Sequence, residues 1–372
     1  MSEHGRVGRE RIRNGLRALA KRRVGFVLPF VLVTLILIAA LAGATSFGSW
    51  RAVRSARLGF NGERALQGAD EALVTLLADW DAAAFASRPI GARWGRTVVT
   101  SDHGDVNVSL ARAAPLAIVL RAGMRSRMGG APDTALRYVT RYVPLLPPAY
   151  PLHAAFATLG DVTLEGTALV DGLDRRSGSD GCGAGRDTSS VPGMHGLTVS
   201  AAATATVYGR PPVMSGATAL ATLAADRVAF DSAWNMSVAR ISRTDAIAPS
   251  SPIASAPPWS ARRVVRADTS VTAPAVVELG GASTHTGLIL VDGDLVVTGS
   301  LVVEGLLIVR GRIQARAGRL TVDGAVLARD AFGGGSDLGD ATRVRYSQCS
   351  TRRALSAIAR PGHTPFAQWI ER

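Results

Sequence analysis

Aromatic residues and lysine are scarce in this sequence. Phe, Trp and Tyr make up 5% of its 372 residues, and Lys21 is its one lysine. So few aromatics disfavour a large aromatic core and favour β-structure packed from small side chains. The net charge of +13 comes from arginines without interleaved aromatics, so nucleic acid is not expected as a partner.

The sequence also lacks the motifs of common active sites. None of its six histidines stands at metal-ligand spacing, and no glycine-rich nucleotide loop or nucleophile elbow is present. The acids Asp292, Asp294, Glu304 and Asp323 are expected to be solvated corner residues rather than Ca²⁺ ligands or paired catalytic carboxylates. We therefore expect a protein that is not an enzyme, with no catalytic residue, no metal and no cofactor.

Charge is absent from one long stretch, Val24 to Phe47. At 1.5 Å per residue this stretch is long enough to cross a bilayer core of about 30 Å. Residues 1–23 carry eight basic side chains, so the positive-inside bias predicts a single-pass inner-membrane protein with a cytoplasmic N-terminus. The body would then be periplasmic or extracellular. The alternatives are a buried core helix and a secretory signal cleaved near Ala42-Gly43-Ala44.

The membrane edge reads Arg22-Arg23-Val24-Gly25-Phe26-Val27-Leu28-Pro29. This order of basic residues, Gly-Phe and an apolar helix resembles the leader and start of type IV pilin-like proteins. The resemblance implies a processing site for the prepilin peptidase between Gly25 and Phe26; the alternative is an ordinary membrane-helix start. Pilins that polymerise usually have Glu at the fifth mature position, which is Phe30 here, so a place along a pilus shaft is not implied.

The stretch Gly62 to Leu73 (GERALQGADEAL) resembles the segment just after the membrane in PilX-type pilus assembly proteins. The resemblance implies that the membrane helix continues into the exported body, with pilin-like or pilus assembly subunits as partners. Apolar residues from Leu66 to Trp80 recur every three or four positions, which predicts one buried helical stripe.

Four β-branched, often alternating segments then predict a small antiparallel β-meander, so that residues 48–144 form a helix with a sheet. The segments are Thr97–Thr100, Val106–Leu110, Ala117–Arg121 and Leu136–Val143.

A six-residue repeat dominates the second half of the chain. Its expected turn glycines are Gly287, Gly293, Gly299, Gly305, Gly311, Gly318 and Gly324, with one extra residue before Gly318. Aliphatic or small side chains stand two and four places after each glycine, so both would face inward from a short strand. We predict a parallel β-solenoid over 157–173 and 275–330; the alternative is an antiparallel sheet with tight turns.

The remaining segments are an insertion and a tail. Residues 174–274 are expected to hold a loop, a strand (Leu197–Tyr208) and a helix (Gly216–Val238), and residues 331–372 a C-terminal tail with a strand and a short helix. Cys182 and Cys349 are the two cysteines; on the exported side they would form a disulfide, with two unpaired thiols as the alternative. The fold class is thus α+β to mainly β.

Two functions follow as hypotheses. The first is a non-enzymatic structural or assembly component of a type IV pilus-like or related secretion filament. The second is a membrane-tethered β-solenoid that binds or cleaves extracellular polysaccharide, which the absence of Trp and Tyr from the hexads disfavours.

Overall fold

The computed structural model describes most of the chain. The described residues are 6–100, 104–127, 134–174, 194–208, 213–216, 218, 220–223, 227–241, 246–247, 259–265, 276–279, 281–362 and 367–370. The chain divides into two compact units, Met1–Gln67 with Arg125–Arg137 and Gly68–Met124 with Tyr138–Arg372.

Four helices lie in the described residues: α1 (Arg6–Ala78), α2 (Ala82–Ala86), α3 (Arg227–Arg240) and α4 (Gln348–Ser356). The predicted membrane segment and the predicted helix after it are both part of α1, which begins well before Val24. The helix expected from Gly216 starts only at Arg227, because Leu220–Leu223 is a strand instead. In the tail, α4 begins after the N-cap Ser347, whose hydroxyl accepts a hydrogen bond from the Ser350 backbone N–H.

Strands account for most of the rest. They are β1 (Arg93–Thr100), β2 (Gly104–Ala114), β3 (Ala117–Arg127), β4 (Thr134–Leu146), β5 (Ala154–Thr158), β6 (Val162–Glu165), β7 (Leu169–Asp171), β8 (His195–Ser200), β9 (Ala205–Tyr208), β10 (Val213–Ser215), β11 (Leu220–Leu223), β12 (Ala246–Ile247), β13 (Ser260–Val265), β14 (Val276–Leu279), β15 (Ala282–Asp292), β16 (Asp294–Val297), β17 (Ser300–Val309), β18 (Ile313–Ala315), β19 (Arg319–Ala328), β20 (Ser336–Leu338), β21 (Arg343–Tyr346), β22 (Arg360–Pro361) and β23 (Ala367–Ile370).

The predicted antiparallel strands are confirmed, and each is longer than expected. Strands β1 to β4 follow one another in a sheet that forms a half-barrel, and β22 and β23 both pair with β4. On β2 the side chains of Val106, Val108 and Leu110 are buried and alternate with exposed ones, as a half-buried strand requires.

The repeat region forms parallel sheets, so the antiparallel alternative is wrong. One sheet contains the series β10-β7-β21-β19-β17-β15-β13-β12, with β5, β8 and β11 joined to it, and the second has the order β14-β16-β18-β20-β6-β9. The coarse fold class is therefore confirmed: a long apolar N-terminal helix followed by a largely β region with parallel sheets.

Register in these sheets follows the hexads. Ile289 on β15 pairs with Leu307 on β17, 18 positions later, and Leu301 pairs with Leu320 on β19, 19 positions later. The extra residue before Gly318 accounts for the longer step. The side chains two and four places after each glycine are buried, as predicted: Ile289, Val291, Leu295, Val297, Leu301, Val303, Leu307, Val309, Ile313, Ala315, Leu320, Val322, Val326 and Ala328.

The chain enters this stack at its middle. Strands β5, β6 and β7 pair with β19, β20 and β21, although about 170 residues of sequence separate them. Strands β5 to β11 lie on one side of these pairs, and strands β12 to β21 lie on the other side. The expected insertion 174–274 is thus partly built into the sheets, because β8 to β11 and β13 are members of them.

Candidate functional site

The first feature of functional interest is the exposed apolar part of α1. From Leu28 to Leu41 its large apolar side chains are exposed, for example Phe30 at 72% and Leu35 at 61%. Within the described residues, α1 is the one helix long and apolar enough to cross a membrane. Exposed apolar surfaces of this extent are typical of membrane-spanning segments and of protein-interaction sites.

Aromatic and arginine side chains mark the end of this apolar run. The rings of Phe47 and Trp50 are stacked with centroids 6.3 Å apart. The guanidinium of Arg51 lies 4.5 Å from the Phe47 ring centroid, and that of Arg54 lies 5.4 Å from the Trp50 ring centroid. This composition is typical of a membrane–water interface, where amphipathic rings and snorkelling cations are favoured.

The predicted processing site lies inside α1. Gly25 and Phe26 both have helical backbone, and their side chains are outside the described part. Cleavage between them stays a prediction. Phe30, which stands where polymerising pilins usually have an acid, presents its ring on the exposed surface of the helix.

The last turns of α1 carry a buried stripe. Ala69, Leu73 and Leu76 of the predicted stripe are buried, together with Ala72. Its other members, Leu66, Leu77 and Trp80, are half-buried, and Trp80 lies beyond the end of α1. Asp70 on α1 forms an ion pair with Arg141 on β4. The ion pair links the end of α1 to the antiparallel sheet.

One buried arginine, which was not predicted, joins several elements. Arg112 on β2 is fully buried, and its guanidinium donates to the carbonyl oxygens of Ala86 (2.8 Å) and Pro115 (3.2 Å) and to the Ser356 hydroxyl (3.0 Å). Burial, and then the charge of Arg353, lower the pKa of Arg112 to about 10. Alternation along β2 places position 112 on the same buried face as Leu110, which was the available signal.

The predicted turn glycines occupy two kinds of position. Gly293, Gly299, Gly311 and Gly318 lie between strands, whereas Gly287, Gly305 and Gly324 lie within β15, β17 and β19 and pair with one another in register. A Cβ on Gly305 would lie 2.1 Å from the Gly287 carbonyl oxygen, and the φ of Gly305 is +139°. No other residue fits there, because the neighbouring backbone occupies the space of a side chain.

Of the acids along the sheets, Asp292 and Asp294 are paired with arginines. Asp292 contacts Arg310 at 3.1 Å, and the buried carboxylate of Asp294 accepts from both Nε and the backbone N–H of Arg312. Asp323 pairs in register with Glu304; burial, and less strongly Glu304, raise its pKa, although Arg345 opposes this. In the described part of the chain, no group of three or more His, Cys, Asp or Glu side chains is placed to hold a metal ion.

The predicted disulfide can be located at one end only. Cys349 lies in the first turn of α4, while Cys182 is outside the described residues. The disulfide therefore stays a prediction.

A cleft of about 660 Å³ lies in the body. It is lined by the segment from Trp80 to Ala84 with Ser87, by the end of α3 from Ala239 to Ile241, by Ser260 to Arg262 on β13, and by Ala357 to Arg360 after α4. Its volume is within the range of ligand pockets. No local sequence pattern indicates this site, because its lining residues come from four distant segments.

Arginines dominate the charge of the cleft. Arg240, Arg262 and Arg360 line it together with one carboxylate, Asp81. Asp81 is the N-cap of α2, and its Oδ1 already accepts a hydrogen bond from the Ala84 N–H at 3.0 Å. Burial and the charge of Arg360 lower the pKa of the Arg240 guanidinium. The cleft is thus positively charged and chemically suited to an anion.

Backbone contacts hold the walls of the cleft. Trp80 Nε1 donates to the Ala359 carbonyl oxygen at 3.1 Å, and Arg240 Nη1 donates to the Ile358 carbonyl oxygen at 2.8 Å. Helix α3 is linked to the residue that follows β19 by a bidentate pair, in which Arg329 Nε and Nη2 each lie 3.0 Å from a carboxylate oxygen of Asp231. The site is therefore supported by well-anchored elements.

Comparisons with protein-family models, with curated proteins and with solved structures found no match to this chain.

Proposed function

We propose that this protein is a non-enzymatic structural or assembly component of a type IV pilus-like or related secretion filament. The observation that carries the proposal is that α1 is one unbroken helix with an exposed apolar run and, near its end, a buried stripe. A helix of this kind can lie in the bilayer, or against the helices of partner subunits, while its end belongs to a folded body.

The proposed location is the inner membrane, crossed once. The basic residues before Val24 favour a cytoplasmic N-terminus by the positive-inside bias, with a periplasmic or extracellular body. Arg51, Arg54 and Arg57 oppose this bias, but the basic residues before the apolar run outnumber them. Contacts of Arg51 and Arg54 with aromatic rings suit the outer headgroup layer.

Phe30 favours a place at a filament end or beside a partner rather than within a shaft. A carboxylate in the apolar run would need a partner for its charge, and Phe30 needs none. We therefore propose that α1 packs against a pilin-like subunit by apolar contacts alone.

We further propose that the repeat region winds as a β-solenoid. Three hexads make 18 residues, and strands separated by that step pair in parallel with their inward side chains buried. Stacked coils of this kind give a stiff body, because each buries its apolar pair against the next. A stiff body suits a subunit that presents a fixed surface beyond the membrane.

Processing at the membrane edge tests the proposal. The full chain, produced with and without a prepilin peptidase, is purified from membranes, and its N-terminus is sequenced. We expect a new N-terminus at Phe26 with the peptidase, and an unprocessed leader in the Gly25→Val variant. An intact leader in the wild-type chain, or a soluble product starting near Thr45, would contradict the proposal.

A further inference from the structure

The cleft brings the guanidinium groups of Arg240 and Arg360 close together. Arg240 and Arg360 lie close enough for the charge of Arg360 to lower the pKa of Arg240, and no carboxylate of the described residues forms an ion pair with either. Arg240 instead donates to backbone carbonyls, which carry no charge. Like charges held together in a partly buried cleft favour the binding of an anion.

We propose that this cleft binds a saccharide that carries a carboxylate, of the uronic acid class. The carboxylate is bound by the arginines Arg240, Arg262 and Arg360, and the sugar ring lies beside Trp80. The site goes beyond the structural role proposed above and does not depend on it.

The lining favours an acidic sugar over a bare anion. Ser87 supplies a hydroxyl group at the wall of the cleft. The indole of Trp80 offers an apolar surface, and alanines line much of the remaining wall. Sugar hydroxyls and ring faces are matched by such a mixture, whereas a simple ion uses the arginines alone.

Calorimetric titration of the full chain in detergent tests this site. The probes are tri-galacturonate, the neutral galactotriose, and sodium phosphate and sodium acetate as ions without a sugar. We expect tri-galacturonate to bind at least ten-fold more tightly than either galactotriose or the ions, and added salt to weaken its binding.

The matched variants are Arg360→Gln in the cleft and Arg319→Gln on an exposed position of β19. We expect Arg360→Gln to weaken tri-galacturonate binding about ten-fold, the size of one charge-assisted hydrogen bond, and Arg319→Gln to leave it unchanged. Because Arg360 is exposed, the fold is expected to tolerate the change, and unfolding midpoints of both variants check this.

Three results would overturn the proposal. Binding of galactotriose as tight as that of tri-galacturonate would show that the site does not recognise the carboxylate. Equally tight binding of phosphate or acetate would show that the site does not recognise the sugar. Unchanged binding of tri-galacturonate by Arg360→Gln and by Arg262→Gln would place its binding site elsewhere.

Discussion

The guanidinium of Arg112 donates a hydrogen bond to the hydroxyl of Ser356, 3.0 Å away and 244 residues later in the sequence. Arg112 lies on the antiparallel sheet, and Ser356 is the last residue of α4, which packs on the parallel strands β15, β17 and β19. This contact therefore joins the two β regions of the body. Its donor is a buried cation that also satisfies several backbone carbonyls.

Replacing this donor should destabilise the body. We expect Arg112→Met to lower the free energy of unfolding by about 3 kcal/mol, because the carbonyls it contacts would stay buried without a donor. Urea unfolding of the full chain in detergent, followed by tryptophan fluorescence, measures the loss.

The control is Arg96→Met on the exposed face of β1, which should change the free energy of unfolding by less than about 0.5 kcal/mol. If Arg112→Met and Arg96→Met unfold at the same urea concentration, the buried network does not hold the two regions together.

A methyl group in the glycine row should also destabilise the protein. We expect Gly305→Ala to cost about 3 kcal/mol or more, because its φ of +139° disfavours a side chain and its Cβ would meet the Gly287 carbonyl oxygen. Gly95→Ala on β1 is the matched control, since the nearest atom to its Cβ would be 3.8 Å away. A Gly305→Ala chain as stable as Gly95→Ala would contradict the close approach of these strands.

The buried His285 should make stability depend on pH. Burial, with a smaller effect from the charge of Arg262, lowers its pKa to about 4 despite backbone contacts at Ser260 and Leu288 that oppose the shift. The unfolded chain then binds a proton more readily than the folded chain. The contribution of His285 to the free energy of unfolding is therefore greatest above about pH 6.5. It falls by about 3 kcal/mol as the pH drops to about 4.

Unfolding midpoints between pH 4 and pH 7 measure this effect. His285→Met should remove that part of the pH dependence, while His153→Gln, at an exposed position, should retain it. An unchanged slope in His285→Met would show that other groups cause the dependence.

Charges in the apolar run should abolish membrane anchoring. We expect the double variant Ile36→Arg and Leu37→Arg to leave the membrane fraction on carbonate extraction, because each arginine costs about 3 kcal/mol at the centre of a bilayer. Val53→Arg with Leu58→Arg, placed after the apolar run of the same helix, should stay membrane-bound. Retention of both double variants would mean that α1 is not the anchor.

Local patterns predicted much of the fold. The uncharged run predicted the apolar helix, and two-residue alternation at Val106, Val108 and Leu110 predicted β2. The spacing of the hexads predicted parallel strands with buried positions two and four places after each glycine. These features depend on a few neighbouring residues, which is why the sequence alone was sufficient.

The packing of α4 on the outer face of the repeat was not predicted. Leu288 and Leu290, and likewise Leu306 and Ile308, are buried although they point away from the inward pairs. Uninterrupted apolar runs in these hexads indicate that both faces of the strands are buried. Helix α4 packs on the second face. A Cβ on Gly305 would lie 3.1 Å from that of Ala354, so small residues permit this close packing.

The cleft depends on long-range assembly and has no local signal. Arg240 ends α3, Arg262 lies on β13, and Arg360 begins β22. Each resembles the other scattered arginines of the chain, and only the fold brings them to one cleft. Arg112 differs, because alternation along β2 already assigns it to a buried face.

In vivo photo-crosslinking from α1 tests the proposed function most directly. A photoreactive residue is placed at position 30 of the full chain in its own cells, with position 99, exposed on β1, as the control. After illumination, the crosslinked proteins are identified by mass spectrometry. We expect adducts from position 30, and not from position 99, with proteins that carry a pilin-like N-terminal helix. Adducts with copies of this chain alone, or no protein adduct from position 30, would contradict the proposed function.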